Sequence, residues 1–249
     1  MATLTGVLGG TFDPIHLGHL AVARQAADAL GLHRVLLLPS RTPPHRPVDP
    51  SASLHHRFAM VALAASADAR LVASDLEMGR PGPSYTADTL RALGATGLGA
   101  WQIFFLTGAD AFAEIATWRE YPAVLDLAHF VVCSRAGAAA TALPARLPDL
   151  APRMIRVLVP GSEDPGLHPQ DPGLHGVVVK EGPETRVFLL DCPTPDISST
   201  SIRADARAGR PLAGLVPPEV DDYIRRHRLY GADDGAAHGG RPAAGNLHE

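Results

Sequence analysis

One short segment near the start of the chain constrains its fold more than any other feature. Residues 9–20 read GGTFDPIHLGHL and directly follow an apolar run at 5–8. This order predicts a short buried strand that ends in two glycines, then a turn, then a helix. His16 and His19 are three residues apart, so both imidazoles are expected on one face at the start of that helix.

The start of this helix is predicted to bind an anion. The first backbone N–H groups of a helix lack partners within it, and the helix dipole is positive there. His16 and His19 add side-chain donors at the same place, and Gly9 and Gly10 let a nucleotide approach the main chain closely. A zinc site is the alternative for the two histidines, but zinc needs three or four protein ligands and the segment offers no obvious third. The segment therefore favours a nucleotide phosphate site.

The basic residues narrow the chemistry further. Lys180 is the only lysine in the sequence, whereas arginine is abundant. A phosphate-binding loop of the Gly-Lys-Ser/Thr type is thereby excluded. Lys180 also lies in a stretch rich in proline and glycine, which is an unfavourable place for a Schiff-base lysine. Phosphate chemistry would have to use arginine, histidine, backbone N–H groups and a metal ion.

Composition indicates a single cytoplasmic domain. A chain of 249 residues needs no second domain, and its hydrophobic share of 46% is ample for a buried core. The net charge of −4 provides no basic stripe for nucleic acid, and no apolar run reaches membrane length. Cys133 and Cys192 are too few for a disulfide framework and are expected to be structural thiols.

Short apolar runs alternate with helical patterns along the chain. The predicted strands are 4–8, 34–38, 70–74, 102–106 and 130–133, and the predicted helices are 19–30, 54–65, 87–93 and 111–115. Apolar runs without polar alternation, separated by helices, predict an α/β fold with a doubly wound parallel sheet. Ligands in such sheets bind beyond the carboxyl ends of the strands, where Gly9, Pro39 and Gly108 are expected.

The second half of the chain contains a predicted loop or insertion at 136–185. It is rich in alanine and proline, and the sequence Asp-Pro-Gly-Leu-His at 164–168 is repeated at 171–175. Proline and glycine favour a solvated loop over a metal site built from the repeated histidines. The tail at 231–249 is small and polar and is expected to be disordered. The predicted domain therefore spans 1–230 and ends in C-terminal helices.

A second candidate phosphate site lies near the C-terminus. Residues 197–203 read ISSTSIR and are expected to open a helix. Their hydroxyl groups suit helix N-caps and equally suit donors to a triphosphate, with Arg203 one turn inside the helix. The residues alone leave both interpretations open.

Together, the two segments resemble the nucleotidyltransferases that carry a His-x-Gly-His signature, and within them the nicotinate-nucleotide adenylyltransferases. The opening segment matches the family's motif almost letter for letter, and ISSTSIR is similar to its second motif, Ile-Ser-Ser/Ala-Thr-x-Ile-Arg. Further matches follow in the same order at 43–46 (PPHR), 83–90 (PSYTADTL) and 108–110 (GAD). The resemblance covers roughly residues 3–135 and 186–230.

This resemblance implies a fold, a reaction and a set of site residues. The implied fold is a Rossmann-like nucleotidyltransferase domain. The implied reaction transfers the adenylyl group of ATP to nicotinate mononucleotide, giving deamido-NAD and pyrophosphate in NAD biosynthesis. Mg²⁺ would be held by the substrate phosphates, with no metal ligands from the protein. The resemblance leaves open whether the protein is a homo-oligomer.

The resemblance assigns roles residue by residue. The implied catalytic residues are His16 and His19, which would hold the α- and β-phosphates. The implied ATP-binding residues are Gly9, Gly10, Thr11, Phe12, Gly108, Asp110, Ile197, Ser199, Thr200 and Arg203. The implied nicotinate-nucleotide-binding residues are His45, Tyr85, Thr86, Trp118 and Arg135.

Alternatives to these roles and to this function remain. Tyr85 and Trp118 could be core aromatics. His55, His56 and Arg57 are expected to form an exposed helix face, although the resemblance also implies an arginine in this helix. A related adenylyltransferase could act on nicotinamide mononucleotide or phosphopantetheine, although the PSYT segment argues against the latter. A non-catalytic nucleotide-binding sensor of the same fold is the alternative from another class.

Overall fold

A seven-stranded parallel sheet forms the centre of the protein. The computed structural model describes residues 2–42, 50–134, 138–157, 182, 184–191 and 194–231. Within these residues the strands are β1 (Thr5–Gly10), β2 (Arg34–Pro39), β3 (Leu71–Ala73), β4 (Ile103–Gly108), β5 (His129–Cys133), β6 (Met154–Val157) and β7 (Val187–Leu190). Their order is β3-β2-β1-β4-β5-β7-β6, and every neighbouring pair is parallel.

Helices connect and cover the strands. In the same described residues the α-helices are α1 (Leu17–Leu30), α2 (Leu54–Ala65), α3 (Thr86–Gly94), α4 (Ala109–Phe112), α5 (Leu143–Arg146), α6 (Ser199–Arg207) and α7 (Pro218–Arg226). Short 3₁₀ turns occupy Ala100–Gln102, Ile115–Thr117, Ala123–Asp126, Ala140–Ala142 and Pro148–Arg153. None of the helices in the described part of the chain is long and apolar enough to cross a membrane.

Both faces of the sheet are buried. Successive side chains of a strand point to opposite faces, so neighbouring residues of one strand belong to different buried clusters. Leu8 of β1 belongs to a buried cluster that includes Leu20 of α1 and Met60 of α2. Its neighbour Val7 belongs to a second cluster on the other face, which includes Leu90 of α3. Unbroken apolar strands are what such a two-sided core requires. The predicted doubly wound α/β sheet is confirmed.

The second half of the sheet differs from the prediction. β6 and β7 were not predicted, and residues 138–157, expected to be part of a loop, form α5, two 3₁₀ turns and β6. This segment packs against the protein despite its alanine and proline content, since Ala140 and Leu143 are fully buried. The repeated segment at 164–175 and the tail from 232 lie outside the described residues. The same holds for Cys192, whereas Cys133 is buried in β5 as expected for a structural thiol.

The sheet reverses its winding between β1 and β4. Strands β2 and β3 extend from one side of β1, and β4 leads to β5, β7 and β6 on the other. The carboxyl ends of β1, β2 and β4 are at Gly10, Pro39 and Gly108, close to where the sequence placed them. The segments that follow β1 and β4 therefore flank the crevice in which this class of fold binds its ligands.

Candidate active site

The turn between β1 and α1, residues 11–14, folds tightly over the end of β1. Phe12 has a φ of 48°, in the left-handed region that few residues other than glycine adopt. Its ring lies against Gly10, where a Cβ atom would be only 3.0 Å from the ring carbon Cε1. Gly10 therefore accommodates the Phe12 ring, which is a reason for glycine here in addition to the nucleotide approach predicted from the sequence. At Gly9 a Cβ would meet only Phe105, at 4.0 Å.

The two histidines of the opening segment lie together at the start of α1, as predicted. His16 is the N-cap residue and His19 is the third residue of the helix. Their rings are stacked, with centroids 3.7 Å apart and an interplanar angle of 27°. The backbone N–H of His16 donates to Nδ1 of His19 at 3.3 Å, so a neutral His19 carries its proton on Nε2. Phe12 meets the His19 ring edge-on at 5.0 Å.

Gly18, between the histidines, makes room for the His16 ring. A Cβ atom at this position would lie 3.1 Å from Nδ1 and 3.2 Å from Cε1 of His16. It would also lie 3.5 Å from the carbonyl oxygen of Pro195, in the segment that leads into α6. The starts of α1 and α6 are therefore close together.

The backbone at the start of α1 contributes less to anion binding than the sequence suggests. The N–H of Leu17 donates to the carbonyl of Leu215 at 3.0 Å, and the N–H of His19 donates to the carbonyl of His16 at 3.0 Å. Two of the N–H groups expected to lack partners are therefore already bonded. Attraction for a phosphate depends correspondingly more on side chains.

The hydroxyl that caps helix α6 is that of Ser198. Ser198 is the N-cap residue, and its Oγ accepts the backbone N–H of Ser201 at 3.1 Å. Thr200 is inside the helix and exposed, so the capping interpretation of Thr200 is wrong. Its Oγ1 accepts a hydrogen bond from Nη2 of Arg203 at 3.3 Å.

Helix α6 is bonded directly to the turn at 11–14. Oγ of Ser199 donates to the carbonyl of Pro14 at 2.9 Å, and Nη1 of Arg203 donates to the carbonyl of Asp13 at 2.8 Å. Ile197, just before the helix, is partly buried against the core. The two predicted phosphate motifs, nearly 200 residues apart, therefore form one surface.

The buried carboxylate of Asp13 fixes the turn at residues 11–14. Asp13 is 2% exposed. Its Oδ2 accepts the backbone N–H of Ser51 at 2.7 Å, and its Oδ1 accepts the N–H of Ala52 at 3.0 Å and the hydroxyl of Tyr230 at 2.8 Å. The side chain is thus fully engaged within the protein and is not directed to a ligand.

The buried guanidinium of Arg57 also binds the turn at residues 11–14. Arg57 is 1% exposed, which contradicts the exposed helix face expected for it. Its Nη1 donates to the carbonyls of Thr11 at 2.7 Å and Ser40 at 2.8 Å, which follow β1 and β2. Burial lowers the pKa of Arg57, and the nearby charge of Asp13 opposes that shift. Arg57 therefore joins the carboxyl ends of two neighbouring strands.

The residues predicted to bind the nicotinate nucleotide lie beside β4. Trp118 packs edge-on against Phe105 of β4, with centroids 6.2 Å apart, and is partly exposed. Tyr85 is the N-cap residue of α3, and Thr86 is its first residue. The guanidinium of Arg119 lies over the Tyr85 ring, 4.7 Å from its centroid. Neither aromatic is fully buried, so neither is simply a core residue.

Phe105 connects the two halves of the site. Its ring packs edge-on with Trp118, and a Cβ atom added to Gly9 of β1 would lie 4.0 Å from its Cε2. Gly108 ends β4, and Asp110 lies exposed in the first turn of α4. His45 and Arg135, also predicted to bind the nicotinate nucleotide, lie outside the described residues.

Comparison with known proteins identifies the family. A profile described as cytidylyltransferase-like matches residues 7–205. A probable nicotinate-nucleotide adenylyltransferase of Symbiobacterium thermophilum is 39% identical over 90% of this chain and 93% of the relative. One of Roseiflexus sp. is 40% identical over 90% of this chain and 96% of the relative. This chain belongs to the nicotinate-nucleotide adenylyltransferase family.

Solved structures support the same fold. The nicotinic acid mononucleotide adenylyltransferase of Plasmodium falciparum, complexed with NaAD, matches with a TM-score of 0.64 and 17% identity. The match covers 92% of this chain and 98% of that one. The adenylyltransferase family and the nucleotidyltransferase fold that the sequence motifs predicted are both confirmed.

Sequence reasoning did not predict the buried contacts of two residues that shape this adenylyltransferase site. Helix α2 reads LHHRFAMVALAA, and Arg57 is its only arginine, lysine or acidic residue. A lone arginine in an apolar helix is either exposed or bound by buried acceptors, and the sequence does not distinguish the two. Tyr230 lies within the stretch 186–230 that resembles the family, but its partner Asp13 is 217 positions away in sequence, so no local pattern predicts their contact. Such contacts appear only once the fold brings both ends of the chain together.

Proposed function

We propose that this protein transfers the adenylyl group of ATP to nicotinate mononucleotide, giving deamido-NAD and pyrophosphate in NAD biosynthesis. The observation that carries this proposal is the stacked pair of His16 and His19 beside Ser199 and Arg203, at the switch point of a doubly wound sheet. The relatives named as probable nicotinate-nucleotide adenylyltransferases support the choice of acceptor.

The reaction needs alignment and charge neutralisation more than proton transfer. A phosphate oxygen of nicotinate mononucleotide attacks the α-phosphorus of ATP, and the bond from that phosphorus to the bridging oxygen of the β-phosphate breaks. The nucleophile is already ionised at neutral pH, so a general base adds little. The protein lowers the barrier by aligning the two phosphates and by placing donors where negative charge builds.

On the ATP side, the histidines would contact the reacting phosphate. Nε2–H of His19 is a donor suited to the α-phosphate, since Nδ1 is occupied by the backbone N–H of His16. His16, whose ring is stacked on that of His19 and is 3% exposed, is the proposed contact for the β-phosphate. Thr200 is exposed beside Arg203 and suits the distal phosphates. Gly108 and Asp110 are the proposed contacts for the adenosine ribose.

On the acceptor side, aromatic and cationic groups fit a carboxylated pyridine ring. Trp118 offers a partly exposed face for stacking. Arg119 is half exposed, lies over Tyr85 and is 3.3 Å from the Asp88 carboxylate; its guanidinium would bind the charged carboxylate of nicotinate more strongly than a neutral carboxamide. Tyr85 and Thr86 place the start of α3 nearby, and His45 and Arg135 remain proposed contacts for the same nucleotide.

The protein side chains suit phosphate better than a metal ion. Asp13, the carboxylate of the turn, is buried and fully hydrogen-bonded. In the described part of the chain, no group of three or more His, Cys, Asp or Glu residues is placed to hold a metal. We therefore propose that Mg²⁺ is brought by ATP, where it neutralises phosphate charge. With ATP as co-substrate, we expect the protein to act in the cytoplasm.

The test is product analysis with purified protein, ATP and Mg²⁺. We expect pyrophosphate release and deamido-NAD formation with nicotinate mononucleotide, at much higher kcat/KM than with nicotinamide mononucleotide. Equal use of both acceptors would refute the acceptor preference and leave the chemistry intact. ATP binding without turnover of either acceptor would instead favour a nucleotide sensor.

A further inference from the structure

Tyr230 lies at the end of the last described segment, yet its hydroxyl is part of the phosphate site's support. It is 8% exposed, and its hydroxyl donates to Oδ1 of Asp13 at 2.8 Å. Burial, and next the charge of Asp13, raise the pKa of Tyr230 above its ordinary value. The hydroxyl therefore remains protonated and keeps donating across the physiological pH range.

Asp13 links Tyr230 to the groups that are proposed to bind the phosphates. Its carboxylate takes Tyr230 and two backbone N–H groups at the start of the α2 segment, while its own carbonyl accepts from Arg203. The next carbonyl, of Pro14, accepts from Ser199, and the preceding residue, Phe12, packs against His19. A shift of the Asp13 side chain must therefore move groups on both sides of the phosphate surface.

The support is rigid because its charged members are buried and close together. Arg57, on the other side of the turn, is 1% exposed and holds the carbonyls of Thr11 and Ser40. Buried polar groups that are fully satisfied have one favoured arrangement, and removing one member leaves the others unsatisfied. The hydroxyl of Tyr230 is the member that can be deleted with the smallest change of shape.

We infer that Tyr230 is a positioning residue for adenylyl transfer, acting through Asp13 on Arg203 and on the turn at 11–14. The inference rests on the proposed function, and it makes a residue near the end of the last described segment a determinant of phosphate geometry. Among the described residues, no hydrogen bond of Asp13 or Tyr230 reaches Trp118, Tyr85 or Thr86 in the acceptor half. Loss of the contact between Tyr230 and Asp13 should therefore alter handling of ATP and leave handling of the acceptor unchanged.

The test is Tyr230→Phe, with Tyr223→Phe as the matched control. The Tyr223 hydroxyl is 3.0 Å from Nδ1 of His56 and contacts no residue of the turn in the described structure. We expect Tyr230→Phe to lower kcat about 10-fold and to raise KM for ATP several-fold, because displacements of a fraction of an ångström at the reacting phosphate are costly. KM for nicotinate mononucleotide should stay within about twofold, and the Tyr223→Phe control should match wild type.

A double-mutant cycle separates positioning from general stability. If Tyr230 acts through Arg203, the loss in Tyr230→Phe/Arg203→Gln will be clearly smaller than the product of the two single losses. Unchanged kcat in Tyr230→Phe, or losses that multiply fully, would overturn the inference. A loss shared equally by both substrates and explained by a lower folded fraction in thermal melts would overturn it too.

Failure of the proposed function would be seen separately. Wild-type protein that turns over neither acceptor would refute the enzyme assignment before any variant is compared. In that case, calorimetric titration with ATP still decides the inference, which then requires several-fold weaker ATP binding in Tyr230→Phe and unchanged binding in Tyr223→Phe.

Discussion

Replacing Gly18 by alanine should reduce catalysis without unfolding the protein. The added Cβ would lie 3.1 Å from Nδ1 and 3.2 Å from Cε1 of His16, whereas favourable contacts between such atoms lie near 3.5–4.0 Å. The His16 ring must therefore move by about 0.3–0.5 Å. It is 3% exposed and stacked on His19, so the pair must move together.

The expected magnitude follows from that displacement. Since about 1 Å of misplacement can cost roughly 10²-fold in rate, half of it should lower kcat about 10-fold. Stability should change little, because alanine is favoured over glycine in a helix by about 1 kcal/mol and this offsets the tight contact. The assay is pyrophosphate release at saturating ATP and nicotinate mononucleotide, with thermal melts on the same samples.

Gly94→Ala is the matched control. Gly94 is the last residue of α3 and has nothing within 4 Å of the position of a Cβ, so alanine there should leave kcat unchanged. Wild-type kcat in Gly18→Ala would refute the reasoning, since it would mean that the His16 ring position does not matter for turnover.

Three further predictions concern other parts of the molecule. Arg119→Gln should lower the preference for nicotinate over nicotinamide mononucleotide about 10-fold in kcat/KM, since one charged hydrogen bond contributes about 1.5–3 kcal/mol; an unchanged ratio would exclude Arg119 from acceptor recognition. Thr200→Ala should raise KM for ATP several-fold with less than about 0.5 kcal/mol lost in stability, because Ser198 caps α6; a loss of roughly 1 kcal/mol with normal kinetics would contradict this. Burial lowers the pKa of His129 from 6.5 to about 4, so the unfolded chain takes up a proton that the folded protein refuses as pH falls from 6.5 to 4. The free energy of unfolding should fall over that interval by about 3 kcal/mol more in wild type than in His129→Gln, and equal slopes in chemical denaturation would contradict the assignment.

Local patterns predicted most of the first 134 residues. The strands from β1 to β5 are apolar runs bounded by turns, and α2 spans the predicted residues 54–65. β6 and α5 escaped prediction because elements of only four residues carry little periodicity, and α5 also lies in a stretch rich in alanine and proline. Sequence can mark such a segment as unusual, but it cannot say what covers it.

The candidate site was also predicted where local patterns exist and missed where contacts are long-range. His16, His19 and the α6 motif were predicted because their donors are encoded in short, specific strings. The buried support was missed because Asp13, Arg57 and Tyr230 find their partners among backbone groups and residues far away in sequence. The sequence motifs therefore predicted the groups proposed to bind the substrate, while the buried contacts around those groups became visible only in the fold.

The central claim is that the two stacked histidines stabilise charge on the reacting phosphate. It is tested most directly by single-turnover adenylyl transfer in His16→Ala and His19→Ala, measured separately at saturating ATP and nicotinate mononucleotide. We predict that each variant remains folded, loses about 10²- to 10³-fold in rate, and binds ATP with much smaller change. Full activity per folded molecule in either variant would contradict the claim and leave the histidine pair with a structural role only.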